Sequence, residues 1–244
     1  MSKEDDKYIF IVRHGQSEGN VDETVHQKKA DWQIELSELG HQQARKAGEF
    51  MEAYLQGPEL IGKKLCAWRS PYKRTRQTHA GIMRSMEPFV ENVYETDKLR
   101  EQEQGLWDGL TDAEKERLYP NEWKNYRKNT GEDWLGKYFA RYFGGESGAD
   151  VALRVAQFQE SLFRDINEGQ KYHFITSHGA TNRIFVQQFM HYPFEWLAKE
   201  PNPGNCHIRL IKGNKIDGYK DMGYIYTGQQ AEIDAAKKNM VKTK

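Results

Sequence analysis

The chain has 244 residues, and its 36 basic side chains are balanced by 36 acidic ones. That balance argues against a nucleic-acid or polybasic membrane partner, and no apolar run nears the roughly 18 residues that span a bilayer. The charged start, Ser2-Lys3-Glu4-Asp5-Asp6-Lys7, has no apolar signal core, so a cytoplasmic protein is expected. The length suits one α/β domain over residues 1–228 with an insertion at about 102–144, then a frayed or disordered tail over 229–244. The two cysteines, Cys66 and Cys206, lie in strand-like segments and read as free buried thiols rather than a disulfide.

Tyr8-Ile9-Phe10-Ile11-Val12 is short, β-branched and aromatic, and reads as a buried strand ended by Gly15. Arg13 and His14 therefore sit where a core strand leaves the sheet, the end at which α/β folds bind ligands. Gly15 lets another group approach the backbone closely. A polar loop follows through Trp32. Ser37 then caps a helix to about Leu55, which carries Leu39, Ala44, Ala47, Phe50, Met51 and Tyr54 at helical spacing. Lys64 to Trp68 reads as a second buried strand. Ser70 as cap and Pro71 in the first turn start the next helix, with Arg74 about one turn inside it. Glu91 to Glu95 is a weaker strand.

From Lys98 the composition shifts. The segment to about Gly145 is rich in charge and in aromatics such as Tyr119, Trp123, Tyr126, Tyr142 and Phe143. It reads as a helical cap whose aromatics form a local core. Ser147 caps a helix to about Asn167, with Val151, Val155, Phe158, Leu162 and Ile166 as its apolar stripe. Tyr172 to Thr176 is a strand that leads into Ser177-His178-Gly179 and an apolar helix through about Met190. His178 thus stands just before a helix N-terminus, where free N–H groups favour an anion. Cys206 to Ile211 and Gly223 to Tyr226 are later strands, with Gly213-Asn214 as a hairpin turn.

Three strand ends carry Arg13-His14, Arg74 and His178, and a sheet brings its strand ends onto one rim. Two arginines and two histidines there suit a dianionic phosphate, which needs several fixed cations and donors. Guanidinium neighbours keep an imidazole neutral and nucleophilic, so one histidine is able to attack phosphorus and split the transfer into two steps. Glu101, in a loop after a strand, is the candidate acid for the leaving alcohol.

These motifs, Arg13-His14-Gly15, Ser70-Pro71 with Arg74 to Thr78, Glu101 with Gly105 and Gly109, Gly145-Glu146-Ser147, and Ser177-His178-Gly179, occur in the order seen in the histidine phosphatase, or phosphoglycerate mutase-like, superfamily. The chain resembles that superfamily from about Tyr8 to Leu210. It is most similar to the eukaryote-type phosphoglycerate mutase-like phosphatases, which also carry an aromatic-Arg-aromatic run, here Phe139 to Phe143. The resemblance implies a three-layer α/β/α sandwich with a mostly parallel sheet, and no metal or other cofactor. It implies His14 as the nucleophile that becomes phosphohistidine, and Arg13, Arg74 and His178 as the phosphoryl holders, with Gly179 beside them. It also implies Glu101 as acid and then base.

The expected activity is hydrolysis of a small-molecule phosphate monoester, with phosphoglycerate mutase as the alternative and a non-catalytic phospho-ligand or protein-binding module as a third reading. Asn20 is either a helix cap or a phosphate-loop donor. Arg141 either contacts the non-reacting part of the substrate or makes a salt bridge within the cap. His26, His41, His79, His173, His191 and His207 read as core or surface histidines, and none has zinc-type spacing.

Overall fold

The computed structural model describes residues 6–131 and 134–241. The first five residues of the charged N-terminus and the last three of the tail lie outside the described residues. In chain order the elements are β1 (Lys7–Arg13), α1 (Glu18–Val21), α2 (Glu38–Leu55), β2 (Leu65–Arg69), α3 (Lys73–Met86) and β3 (Val90–Glu95). Then come α4 (Asp112–Leu118), α5 (Pro120–Thr130), α6 (Trp134–Phe139), α7 (Gly148–Asn167), β4 (Tyr172–Ser177), α8 (Gly179–Phe189) and α9 (Phe194–Lys199). The described chain ends with β5 (Ile208–Asn214), β6 (Gly218–Tyr226) and α10 (Gln230–Lys238). Six strands form one sheet in the order β3-β2-β4-β1-β5-β6. β5 runs against its neighbours, and the other pairings are parallel.

The alternation of side chains along β1 produces the layers. Tyr8, Phe10 and Val12 face one core with Phe50 and Met51 of α2, Ile82 of α3 and Ile233 of α10. Ile9 and Ile11 face the other, with Val155, Phe158 and Leu162 of α7 and Phe185 of α8. Both faces of the strand are covered, which is why its sequence is continuously apolar rather than alternating. The architecture is the α/β/α sandwich.

Several boundaries differ from the sequence reading. α3 begins at Lys73, after Tyr72, which makes no side-chain cap. Ser70 is not the cap: its hydroxyl turns to His178 at 2.8 Å and also accepts from the Tyr72 N–H at 3.4 Å. Arg74 is therefore the second residue of the helix, not one turn inside it. Cys206 has φ of +58° and stands outside β5, its N–H donating to the Arg13 carbonyl at 3.1 Å. The hairpin turn comes after Asn214, whose side-chain oxygen accepts from the N–H groups of Ile216 and Asp217 at 2.9 and 2.8 Å. Residues 230–238 of the tail are a helix docked through fully buried Ile233 and buried Ala236, spaced three apart on one face.

Inside the insertion, Trp107 is 1 % exposed and meets Trp123 and Tyr126 edge-on, with ring centroids 5.5 and 5.1 Å apart. These aromatics pack on one another. The insertion is tied to the sandwich by charge. Buried Arg154 of α7 donates from Nε and Nη2 to the two oxygens of buried Glu146, both at 3.0 Å. Its remaining donors reach the carbonyls of Lys98, Arg100 and Glu101 at 2.9, 2.8 and 3.1 Å. Arg100 adds a 2.6 Å bond to Glu146, and Glu146 also accepts from the Glu103 N–H at 3.2 Å.

Removing one member of a buried pair strands the other. Arg154→Met should cost about 3 kcal/mol or more, read as a lower urea midpoint. A change within about 0.5 kcal/mol, the range of an ordinary surface substitution, would contradict this account of the clamp. A second expectation concerns acid. Burial pushes His79 and His173 down to about 4, whereas an unfolded histidine titrates near 6.5. Their contribution is intact above pH 6.5. It falls by roughly 1.4 kcal/mol per pH unit for each residue as pH drops toward 4, because the unfolded chain takes the protons first. His79→Gln should flatten the loss of melting temperature between pH 7 and pH 5. An unchanged slope would count against it.

Candidate active site

The sheet register builds the site. Arg13 of β1 lies opposite Ser177 of β4, and the His14 N–H donates to the Ser177 carbonyl at 2.9 Å. The Ser70 N–H, past the end of β2, donates to the Thr176 carbonyl at 3.1 Å. Three chain segments thus leave the sheet side by side. Gly15 then passes the first turn of α2 with no room between them. A Cβ on Gly15 would lie 2.6 Å from the Gly40 carbonyl oxygen, and one on Gly40 would lie 2.0 Å from that of Gln16. The group that approaches Gly15 is therefore the backbone of α2. The Gly15 N–H donates to Thr78 of α3 at 2.9 Å, which fixes the loop from the other side.

His14 and His178 face each other with ring centroids 5.2 Å apart, and both are buried. The His14 Nδ1 bonds the Gly15 carbonyl at 2.7 Å. A carbonyl only accepts, so Nδ1 carries the proton and Nε2 holds the lone pair. Burial, then Arg74 and Arg13, hold the His14 imidazole well below its usual range. The same causes act on His178, whose Nε2 bonds Ser70 and whose buried Nδ1 has no hydrogen-bond partner. Arg13 donates from Nη1 to the Pro203 carbonyl at 2.8 Å, and its buried Nε is unpartnered. A Cβ on Gly179 would lie 3.6 Å from that Nε, so the start of α8 faces the Arg13 guanidinium.

Glu101 sits at the same helix start. Its carboxylate accepts from the N–H groups of Ala180 and Thr181, both at 3.4 Å, from the Thr181 hydroxyl at 3.3 Å, and from the Gln102 N–H at 3.0 Å. It is close enough to Arg13 to oppose the lowering that burial imposes on that guanidinium. Arg13, His14, Arg74, Glu101, His178 and Gly179 are therefore brought together.

Arg74 is 4 % exposed, rests over the Tyr72 ring and is held by Asp31. Nη1 reaches Asp31 Oδ1 at 2.8 Å and its carbonyl at 2.6 Å, and Nη2 reaches Oδ2 at 3.1 Å. An anion taken by this edge of Arg74 has to displace the Asp31 carboxylate. Nothing in the polar loop through Trp32 marks Asp31 in the sequence. Asn20 is part of a capping box with Ser17 at the start of α1, and its side-chain oxygen also accepts from Asn205 at 3.2 Å. Arg141 does not join the cluster. Its side chain is 63 % exposed and ion-paired with Asp150 in the first turn of α7, which favours the salt-bridge reading. Among the described residues two trios bring metal-ligand atoms together, Cys66 with Asp165 and His173, and His26 with Asp31 and Asp108. In the second, Asp31 already serves Arg74 and Asp108 serves His26.

The chain is similar to several known proteins. Residues 9–218 match the family described as the histidine phosphatase superfamily, branch 1. A phosphoglycerate mutase-like protein of Arabidopsis thaliana is 36% identical over 216 residues, covering 84% of this chain and 65% of its own length. The fructose-2,6-bisphosphatase of Saccharomyces cerevisiae is 31% identical over 240 residues, covering 93% of this chain and 46% of its own. The chain thus spans under two thirds of either relative. A mycobacterial glucosyl-3-phosphoglycerate phosphatase has the same fold, with a TM-score of 0.66 at 23% identity over 89% of this chain and 98% of that one. With its motifs on one rim and the family match running through nearly all of its sheet, this chain belongs to the histidine phosphatase superfamily.

Proposed function

We propose that this chain hydrolyses phosphate monoesters, without a metal, through a phosphohistidine on His14. The observation that carries the reading is an imidazole kept neutral by burial and then by two guanidinium groups, with its Nδ1 proton committed to Gly15. In the first step His14 Nε2 bonds phosphorus and the bond to the ester oxygen breaks. Arg13, Arg74, His178 and the N–H groups at the start of α8, Gly179 among them, offset the charge on the phosphoryl oxygens. Glu101 gives its proton to the leaving alcohol. In the second step water attacks the phosphohistidine, Glu101 takes the water proton, and phosphate leaves with His14 neutral again.

The mutase alternative requires a dry site, because its phosphohistidine must outlive contact with water. Two cavities flank the rim here, of ≈ 530 and ≈ 290 Å³, with exposed side chains such as Lys29, Trp32 and Lys137 in their walls. Lys124, Arg127 and Lys128, cations of the insertion, are exposed and line neither cavity. That supports hydrolysis over transfer. A pure binding module has no use for a carboxylate beside the phosphoryl site, which supports an enzyme.

Rapid quench with a labelled monoester in excess chelator should trap an acid-labile, base-stable phosphoprotein. His14→Ala should abolish it and lower turnover by roughly a thousandfold or more, each factor of ten being about 1.4 kcal/mol. Normal turnover by His14→Ala, or activity that returns only with added metal, would refute the reading. Glu101→Gln should slow phosphorylation by alkyl phosphates by roughly a hundredfold or more. It should slow p-nitrophenyl phosphate much less, since that leaving group needs no proton. Equal loss on both would remove Glu101 from the proton-donor role.

A further inference from the structure

At the end of the sheet opposite the rim, side chains from three elements bring metal-ligand atoms together. Cys66 and His173 are register partners, each the second residue of its strand, β2 and β4. Partners on neighbouring strands send their side chains to the same face of the sheet. α7 covers that face, and Cys66 shares a core with its Phe158 and Leu162. Asp165 stands three residues after Leu162, near the end of α7, and reaches the same point. The Cys66 sulfur, a carboxylate oxygen of Asp165 and a ring nitrogen of His173 all lie within 4.8 Å of one another. Ligands of a tetrahedral zinc stand roughly 3.5 Å apart, so closing on an ion takes a shift of about 1 Å.

The surroundings suit a cation. A cavity of ≈ 380 Å³ is lined by Cys66 and Asp165, with Glu91 and Glu168 in the same wall. It gives an entry path and room for a fourth ligand, water or Glu168. Burial, then Asp165 and Glu91, push the Cys66 thiol up to about 12. Burial also raises Asp165, opposed by Arg164 and aided by Glu168. Arg164 approaches that carboxylate only at 3.9 Å, from an exposed side chain. His173 is fully buried and lowered to about 4, so its imidazole is neutral and holds a lone pair. Nδ1 accepts from the Trp68 N–H at 3.4 Å and Nε2 donates to the Gln170 carbonyl at 3.2 Å. Both bonds are long, so neither holds the ring strongly against a metal.

We propose that Cys66, Asp165 and His173 form a zinc site whose fourth position opens to the cavity. A thiolate with an imidazole selects zinc over magnesium or calcium, which take oxygen ligands. As the sulfur–zinc bond forms, the thiol proton leaves to solvent. Thiolate and carboxylate together then neutralise the divalent ion, so the buried site ends without net charge. His173 and the rim residue Ser177 are four positions apart on β4, which sets the ion roughly 13 Å from the phosphoryl cluster. The ion ties the starts of β2 and β4 to the end of α7. It takes no part in phosphoryl transfer, and the inference does not rest on the hydrolase reading.

Metal titration of the stripped, full-length protein tests it. Zinc should bind calorimetrically and raise the melting temperature, as any ligand of the folded state does. Cobalt(II), standing in for zinc, should give the near-ultraviolet charge-transfer band of a metal–thiolate bond. That band should persist in Cys206→Ala and vanish in Cys66→Ser. Asp165→Asn should weaken zinc by about tenfold or more. Asp165 is only partly buried, so its variant reads the site even if Cys66→Ser folds poorly. No thiolate band in the wild type would overturn the site. So would zinc uptake unchanged in both Cys66→Ser and Asp165→Asn, or uptake abolished by His26→Gln instead, which would place the ion at the other trio.

Discussion

The bidentate bond between Glu146 and Arg154 decides where Glu101 stands. Glu101 lies in a loop between β3 and the insertion, a segment with no ladder of its own to hold it. Arg154 spends its donors on Glu146 and on three loop carbonyls, those of Lys98, Arg100 and Glu101. A guanidinium suits that task because its donors form a rigid planar fork. The Gly145-Glu146-Ser147 motif accordingly does no chemistry. It delivers a carboxylate to Arg154 and, through Ser147 and Asp150, starts α7 with a capping box. On the proposed mechanism, a 1 Å slip in this loop would move Glu101 away from the ester oxygen, so a pair distant from phosphorus would bear on the rate.

Concentrating positive charge under a rim is costly, and the fold offsets it with the Asp31 carboxylate on Arg74 and Glu101 near Arg13. Arg13 leans on a backbone carbonyl, and Arg74 is sheltered by Asp31 and the Tyr72 ring. The two histidines between them stay uncharged because protonation would add a third and fourth positive group to a buried space. On the proposed mechanism neutrality is what the nucleophile requires, so the charges that would bind phosphate would also prepare His14 to attack it.

The sheet and the arginine-histidine cluster were legible in the chain for one physical reason. Apolar runs such as Tyr8 to Val12 are forced into the sheet, and whatever polar residue follows each run must emerge on the rim. Arg13, His14 and His178 are found that way. Ser70 was misjudged because a Ser-Pro pair has a good local use as a helix start, and the tertiary bond to His178 prevailed. The helix of residues 230–238 was concealed by lysine-rich composition, although Ile233 and Ala236 supply an apolar face. Asp31 and Arg154 left no local signal. Each acts on a partner 43 residues away for Asp31 with Arg74, or on a loop of another segment for Arg154, and spacing along one element carries no information about such contacts.

The rim therefore divides the surroundings of phosphorus into two unlike halves. On the Arg74 side, Asp31 already supplies the negative charge, and the strap that carries it, Glu23–Gln27 and Asp31–Gln33, buries no side chain. It is held by polar links such as Gln27 to the Gly109 carbonyl at 2.8 Å and His26 to Asp108 at 3.2 Å. Polar links exchange with solvent at small net cost, and the hydrolase reading needs Asp31 to yield Arg74 to the phosphoryl group. On the Glu101 side the elements are α7 and α8, seated in the sandwich by Phe158, Leu162 and Phe185. On that reading, the side that must yield to an anion is built on polar bonds, and the side that must aim a proton is built on packed helices.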